Sequence, residues 1–179
     1  MKKITVKEMV KISLVTALLC VLSPLVIPIP ISPVPISLSI FVILIGLYAI
    51  GAKGGVIACL IYILIGLVGV PVFSGFSAGP GKLFGPTGGY ILGYIFICLI
   101  AGPIIDKFEK KIWIHVIFMV IGVLVCYAFG TLWFVKVMEG YSFVSALSVC
   151  VIPFIPADAI KIAVAAFAGP LIRKQLKRF

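Results

Sequence analysis

The chain has 179 residues and a formal net charge of +10, and 63% of its residues are hydrophobic whereas only 11% are charged. Soluble globular domains have roughly 45–50% apolar and about 25% charged residues, so this chain has too few polar side chains to cover a water-facing surface. These proportions exclude an ordinary cytosolic enzyme, a disordered tail and a secreted disulfide scaffold, and they predict an integral membrane protein.

Charged, proline-rich and glycine-rich segments divide the chain into six apolar blocks. The predicted membrane spans are residues 12–27, 36–50, 56–73, 90–105, 112–135 and 143–172. A spanning helix needs about 20 mostly apolar residues, and continuous blocks without a period of two disfavour a transmembrane β-barrel. We therefore expect an all-α integral membrane protein with six transmembrane helices, in which residues 1–179 form a single transmembrane domain.

The positive charge is divided unequally between the connections. With alternate connections on the same side, one side receives four Lys before the first span, Lys53, three Lys after the fourth span and four Lys or Arg at the C-terminus. The other side receives only Lys82 and Lys136, and Lys161 falls inside a span. The positive-inside rule therefore predicts that both termini are cytoplasmic in a multi-pass protein of the cell membrane. Because the basic residues flank spans, no nucleic-acid partner is expected.

The first outward connection, residues 28–35, is apolar but contains four prolines. Proline fixes φ and lacks an amide donor, so this segment is not expected to be helical. An apolar, non-helical segment at the membrane packs on protein or lines a cavity. Two interpretations remain open: a stiff hairpin between helices, and a wall over an outward-facing site.

Asp158 and Lys161 are charged residues within the last apolar block. Residues three apart share a helical face, and charges at membrane depth usually face a cavity or one another. Pro153 and Pro156 predict a break in the helix just before this pair. The pair either stabilises packing only, or it binds a small ligand, with Lys161 taking a carboxylate and Asp158 accepting hydrogen bonds from N–H groups.

The second outward connection, residues 73–90, is rich in glycine, which permits close backbone approach and exposes amides to a ligand. Gly89 and Gly93, four residues apart, are typical of close helix packing instead. The candidate ligand-binding residues here are Gly75, Phe76, Ser77, Lys82, Thr87, Gly88, Gly89 and Tyr90.

Neither catalysis nor metal binding is predicted. The segment 75–79 matches the G-x-S-x-G nucleophile pattern, but the single histidine, His115, is expected at the opposite membrane surface from Ser77. Gly81 and Lys82 resemble the end of a Walker A loop, but Phe76 and Leu83 stand where that loop requires Gly and Ser or Thr. We expect no catalytic residue, no metal and no cofactor, so an ATP-driven step would need another polypeptide.

Ser13 and Ala17 in the first block are small residues four apart. This spacing is consistent with close packing on another helix of the chain or with a docking surface for a partner membrane protein.

Three segments together resemble the BioY family, the biotin-specific substrate-binding (S) components of energy-coupling factor (ECF) transporters. They are Pro33-Val-Pro-Ile-Ser-Leu-Ser39, Gly69-Val-Pro-Val-Phe73 leading to Gly85-Pro-Thr-Gly-Gly-Tyr90, and Pro156-Ala-Asp-Ala-Ile-Lys161. The resemblance implies an S-component bundle with an outward-facing biotin site. It also implies two kinds of partner, a transmembrane coupling protein and a pair of ABC-type ATPases that alone bind ATP.

The resemblance assigns Asp158, Lys161, the loop around Ser77 and the Gly-Pro-Thr-Gly-Gly-Tyr segment to the ligand site, and Ser13 and Ala17 to the docking surface. Two positions depart from the family pattern. Ser37 and Ser39 stand where relatives often have Thr and Gln, which makes Ser39 a further candidate ligand-binding residue. Ile91 stands where some relatives have a basic residue, so the ligand carboxylate is expected to depend more on Lys161, with Lys82 as a second cation.

The resulting hypothesis is biotin uptake by a membrane component that captures biotin outside and delivers it inside with an ATP-driven partner module. The alternatives are an S component for another small carboxylate-bearing vitamin or precursor, and a membrane-embedded enzyme.

Overall fold

The computed structural model describes residues 5–28, 34–109, 111–176 and 178. Two short strands, β1 (Val26–Ile27) and β2 (Ile36–Ser37), pair antiparallel. The helices are α1 (Val6–Leu22), α2 (Ser39–Leu67), α3 (Pro80–Leu83), α4 (Gly88–Lys107), α5 (Ile112–Val137), α6 (Phe143–Cys150), a 3₁₀ turn (Ile152–Phe154) and α7 (Ile155–Leu176). The described part of the chain is therefore mostly helical, which confirms the predicted all-α class.

Helix α1 begins six residues before the predicted start of the first span. The Thr5 hydroxyl accepts a hydrogen bond from the Glu8 amide, and the Glu8 carboxylate accepts one from the Thr5 amide. This capping box satisfies two amides that would otherwise lack partners at the helix start. The Thr-x-x-Glu spacing extends the helix into the charged N-terminal stretch, which apolar patterning alone does not include.

Helix α2 reverses its direction at Gly51. The backbone of Gly51 has φ 65° and ψ −174°, a conformation that side chains with a Cβ rarely adopt. A Cβ built on Gly55 would lie 2.7 Å from Leu47 Cδ2, eight residues earlier in the same element. In a straight helix these residues would be about 12 Å apart along the axis. The two halves of α2 therefore lie side by side.

The last apolar block is interrupted, as Pro153 and Pro156 predict. Helix α6 ends at Cys150, the 3₁₀ turn contains Pro153, and α7 begins at Ile155 with Pro156 in its first turn. Proline is tolerated in the first turn of a helix because the amide it lacks would have no partner there. The break places Asp158 in the first turn of α7, where a carboxylate complements the helix dipole.

The first outward connection forms a hairpin in its described part, since Val26 pairs with Ser37 and Ile27 with Ile36. Residues 29–33 of the predicted non-helical segment lie outside the described residues. Val34 and Pro35, between the two strands, line a cavity. The hairpin therefore also forms part of the wall of this cavity.

Four helical segments among the described residues are long and apolar enough to cross a membrane. They are Ser39–Leu67, Gly88–Lys107, Ile112–Val137 and Phe143–Leu176. Large apolar side chains such as Leu14, Leu124 and Phe167 are exposed on the outer surface of the bundle. An apolar outer surface of this extent suits contact with lipid rather than with water.

Polar contacts identify the two ends of the bundle. At one end, Arg173 Nη2 lies 3.0 Å from Asp106 Oδ1, and the Ala52 amide, next to Gly51, donates to Asp106 Oδ2 at 3.1 Å. These contacts join the reversal of α2 to the last turns of α4 and α7. At the other end, Lys161 near the start of α7 contacts Ser37 in β2. The hairpin and the cavity therefore lie at the end opposite Arg173.

Candidate ligand site

A cavity lies among the hairpin, α2, α4, α5 and the broken helix α6–α7. Its volume is about 50 Å³. It is lined by Val34, Pro35, Ser37, Ile40, Tyr90, Tyr94, Cys126, Tyr127, Cys150, Phe154, Asp158 and Lys161. These elements come from both halves of the chain, so the cavity exists only in the assembled bundle.

The charged centre of this cavity is the pair Asp158 and Lys161. Lys161 Nζ donates to Asp158 Oδ1 at 2.6 Å and to the Ser37 carbonyl at 2.7 Å. The two residues are only 3% and 9% exposed, which places a paired positive and negative charge inside an apolar bundle. A buried ion pair is tolerated when further hydrogen bonds satisfy its remaining atoms. The Ser37 carbonyl supplies one of these hydrogen bonds.

Tyr127 on α5 supplies another hydrogen bond to the same carboxylate. Its hydroxyl donates to Asp158 Oδ2, the oxygen that Lys161 does not contact. Among the residues that the structure describes, each oxygen of Asp158 therefore has one donor. An ionised carboxylate offers about four acceptor positions, so two remain for another donor.

Aromatic and sulfur-containing side chains form the rest of the wall. The Tyr90 hydroxyl pairs with that of Thr131 at 3.0 Å, and Cys126 Sγ donates to the Tyr90 carbonyl. Tyr94, Cys150 and Phe154 complete this apolar side of the cavity. A site with mostly apolar walls and a few convergent polar groups is typical of small-molecule binding.

A network of hydroxyl groups lies behind the hairpin. Ser39 Oγ donates to Ser23 Oγ at 2.8 Å, the Ser37 and Ser39 hydroxyls are paired, and the Ser39 amide donates to Ser37 Oγ. Ser37 lines the cavity, whereas Ser39 is buried beside it and is not among the lining residues. Ser39 therefore contacts Ser37, whose carbonyl accepts from Lys161, but does not itself line the cavity.

The glycine-rich loop contributes less to the cavity than its sequence predicts. Gly75, Phe76 and Ser77 form a turn in which Ser77 Oγ donates to the Ser74 carbonyl and the Gly75 amide donates to the Pro24 carbonyl. Phe76 has a positive φ of 55° and is 64% exposed. None of these three residues lines the cavity.

Lys82 also lies away from the cavity lining. It occupies the last turn of the short helix α3, where partial burial lowers the pKa of its ammonium group. The structure therefore separates the second predicted cation from Lys161.

The Gly-Pro-Thr-Gly-Gly-Tyr segment reaches the cavity only through Tyr90. A Cβ on Gly88 would overlap the Leu83 carbonyl, and one on Gly89 would overlap the Trp133 side chain. These glycines permit α4 to pack closely on α3 and α5 rather than exposing amides to the cavity. Thr87 precedes α4, and its hydroxyl is buried without a hydrogen-bond partner among the described residues.

Several cavity residues are absent from the sequence-based set, chiefly Tyr94 and Tyr127. Tyr94 lies one helical turn after Tyr90, so the i, i+4 spacing could have added it. Tyr127 sits in an unbroken apolar block, where nothing in the local sequence separates a cavity-lining tyrosine from a packed one. Its pairing with Asp158 depends on how α5 packs against α7.

The predicted docking residues Ser13 and Ala17 are both exposed on one face of α1. Their buried neighbours Ile12 and Thr16 face the bundle instead. The face of α1 that carries these small residues is therefore exposed and does not pack on a described helix of the same chain.

Proteins of similar sequence indicate the family to which this chain belongs. The sequence model of the BioY family matches residues 1–178. The biotin transporter BioY of Thermotoga maritima is 35% identical over 168 residues, which cover 94% of this chain and 96% of the relative. The biotin transporter BioY2 of Lactococcus lactis subsp. cremoris is 35% identical over 165 residues, covering 90% of this chain and 88% of the relative.

A crystal structure of the S-component for biotin from an ECF-type ABC transporter has a similar fold. It matches with a TM-score of 0.86 and 27% sequence identity, covering 94% of this chain and 92% of that chain. The family match covers nearly the whole chain, and the relatives are matched over most of their own length. The chain therefore belongs to the BioY family.

Proposed function

We propose that this chain is the biotin-binding S component of an ECF-type transporter and functions in biotin uptake. The observation that carries the proposal is the buried pair of Asp158 and Lys161 in a mostly apolar cavity, in a chain whose relatives are named as biotin transporters. The family supports transport over the membrane-enzyme alternative. The protein binds and releases its substrate without making or breaking covalent bonds.

Biotin has a ring end with two neutral N–H donors and a chain that ends in a carboxylate. In the proposed complex, Lys161 binds the carboxylate and Asp158 accepts from the N–H groups. The tyrosines, cysteines and Phe154 surround the ring and chain. Because the two charges neutralise one another in the empty cavity, neither is left unpaired before the ligand arrives.

Ligand entry requires the cavity to widen. The present volume of about 50 Å³ is smaller than the roughly 150 Å³ of a protein cavity that holds benzene. Biotin is larger than benzene. The hairpin residues Val34, Pro35 and Ser37 form one wall, so a shift of this wall is the simplest way to admit the ligand.

Six membrane crossings and cytoplasmic termini form part of the proposal. The crossings are α1, the two halves of α2, α4, α5 and α7. Contacts of Asp106 with the Ala52 amide and with Arg173 at one end of the bundle support this path, since alternate connections then meet at the basic end. That end is cytoplasmic by the positive-inside rule, and the cavity opens toward the exterior.

The proposed partners are an ECF transmembrane coupling protein and two ABC-type ATPases in a prokaryotic plasma membrane. The exposed small residues Ser13 and Ala17 on α1 permit close approach of a partner helix. ATP binds only to the partner subunits, and no cofactor is proposed for this chain.

A selectivity panel tests the substrate. Purified protein in detergent is titrated by calorimetry with biotin, desthiobiotin, which retains the cyclic urea, and octanoate, which has only the chain and carboxylate. We expect saturable binding of biotin and desthiobiotin and no saturable binding of octanoate. No saturable biotin binding by a folded sample would contradict the proposal. Tighter binding of desthiobiotin than of biotin would favour an S component of different specificity.

A further inference from the structure

Tyr127 touches the charged pair from a different helix. The residue is only 6% exposed, and its hydroxyl donates to Asp158 Oδ2. The direction of donation follows from the partner, because a carboxylate paired with the Lys161 ammonium has no proton to give. The contact joins α5 to the first turn of α7 across the cavity.

The two donors on Asp158 differ in what happens when a ligand binds. Lys161 is the group proposed to take the ligand carboxylate, so its contact with Asp158 weakens in the complex. Tyr127 carries no charge, so the ligand carboxylate does not attract it away from Asp158 as it attracts Lys161. We therefore expect its hydrogen bond to Asp158 Oδ2 to persist when a ligand binds.

We propose that Tyr127 is a positioning residue that holds the Asp158 carboxylate in the orientation needed to accept paired N–H donors of a cyclic urea. The inference rests on the proposed function, in which Asp158 binds the ring end of biotin. With Oδ2 held by Tyr127, rotation of the carboxylate about its terminal bond is restricted. The free acceptor positions then face the cavity in a fixed plane.

Tyr90 offers a matched control within the same cavity. It is 8% exposed and lines the wall as Tyr127 does, but its hydroxyl pairs with Thr131 rather than with Asp158. The Tyr90→Phe and Tyr127→Phe variants therefore remove the same group from the same cavity. Only the second removes a donor from the carboxylate.

The test is a double-mutant cycle of Tyr127→Phe and Asp158→Asn, with Tyr90→Phe beside it. Dissociation constants are measured for biotin and biotin amide. Tyr127→Phe should weaken both ligands by the same factor, about ten- to a hundredfold, since hydrogen bonds to charged groups have that effect. Tyr90→Phe should change each dissociation constant by the same factor in the wild-type and Asp158→Asn backgrounds, because its hydroxyl pairs with Thr131 rather than with Asp158. In the Asp158→Asn background, Tyr127→Phe should add less than about threefold, because coupled residues are not additive.

Three results would overturn the proposal: wild-type affinity in Tyr127→Phe, a coupling of Tyr90→Phe to Asp158→Asn as large as that of Tyr127→Phe, or the full loss in Tyr127→Phe persisting in the Asp158→Asn background. If wild-type protein does not bind biotin, the proposed function fails by itself. The same double-mutant cycle is then measured as unfolding temperatures of the proteins without ligand. An effect of Tyr127→Phe that persists unchanged with Asp158→Asn would show that Tyr127 does not act through Asp158.

Discussion

Asp158 and Lys161 are stable inside the bundle only as a pair. Removing one partner of a buried ion pair leaves an uncompensated charge, which costs about 3–5 kcal/mol. Replacing both partners by neutral groups is often close to neutral for stability. The pair therefore stabilises the fold less than the loss of either member destabilises it.

This difference gives a prediction for Asp158→Asn. The variant leaves the Lys161 ammonium with the Ser37 carbonyl but without a counter-charge. We expect a clearly lower unfolding temperature in detergent, measured by following intrinsic fluorescence on heating. The control is the double variant Asp158→Asn with Lys161→Met, which should recover most of the loss. A double variant as unstable as Asp158→Asn would show that the unpaired charge is not the cause.

At the residue scale, the sequence is most informative where charge is scarce. Asp158 and Lys161 are visible because they interrupt an apolar block, and their spacing predicts the contact that the structure contains. Tyr127 and Cys150 carry no such mark, because a tyrosine or cysteine in a span is compatible with simple packing. Their place in the cavity arises from tertiary contacts between helices distant in sequence.

The reversal of α2 depends on one residue at the scale of the helix. Gly51 has φ 65°, and its neighbour Ala52 donates its amide to Asp106 Oδ2 at 3.1 Å. The turn thus has a backbone conformation suited to glycine and an anchor on α4.

We expect Gly51→Ala to destabilise the protein by about 1–3 kcal/mol, because a Cβ strains this conformation and would lie 2.7 Å from Asp106 Oδ2. Thermal unfolding in detergent measures the effect. Gly81→Ala is the control, since nothing lies within 4 Å of a Cβ there. Equal stability of the two variants would mean that the reversal does not need glycine at position 51.

Breaks in the helices are predictable when prolines or charges mark them. Pro153 and Pro156 predict the break before α7, and the charged, glycine-containing stretch around Lys53 predicts a connection between two blocks. The short helix α3 and the tight packing of Gly88 and Gly89 are not predictable in this way. They depend on contacts with Leu83 and Trp133 that form only in the folded bundle.

The whole molecule has a basic end and an end that contains the cavity. Twelve of the fifteen Lys and Arg fall on one side when alternate connections are grouped, a pattern that the sequence alone shows. Contacts between Asp106 and Arg173 then bring the last turns of α4 and α7 together at that end. The orientation in the membrane stays a prediction.

Cysteine labelling tests this orientation with a matched pair of sites. Lys53 and Lys136 are both exposed and are proposed to lie on opposite sides of the membrane. In intact cells, a membrane-impermeant maleimide should label Lys136→Cys but not Lys53→Cys, and permeabilised cells should show labelling of both. The unsubstituted protein controls for reaction of Cys20, which is partly buried. Labelling of Lys53→Cys from outside intact cells would reverse the orientation.

In the proposed complex, Lys161 binds the carboxylate end of the ligand and Asp158 binds its ring end, and together they would set the selectivity of the whole molecule. This assignment is tested most directly by titrating wild type and Lys161→Ala with biotin and with biotin amide, which lacks the charged end. Lys82→Ala serves as the control for a cation outside the cavity lining. We expect Lys161→Ala to weaken biotin at least about tenfold more than biotin amide, a difference of about 1.4 kcal/mol. Equal losses for the two ligands would contradict the assignment of the carboxylate to Lys161.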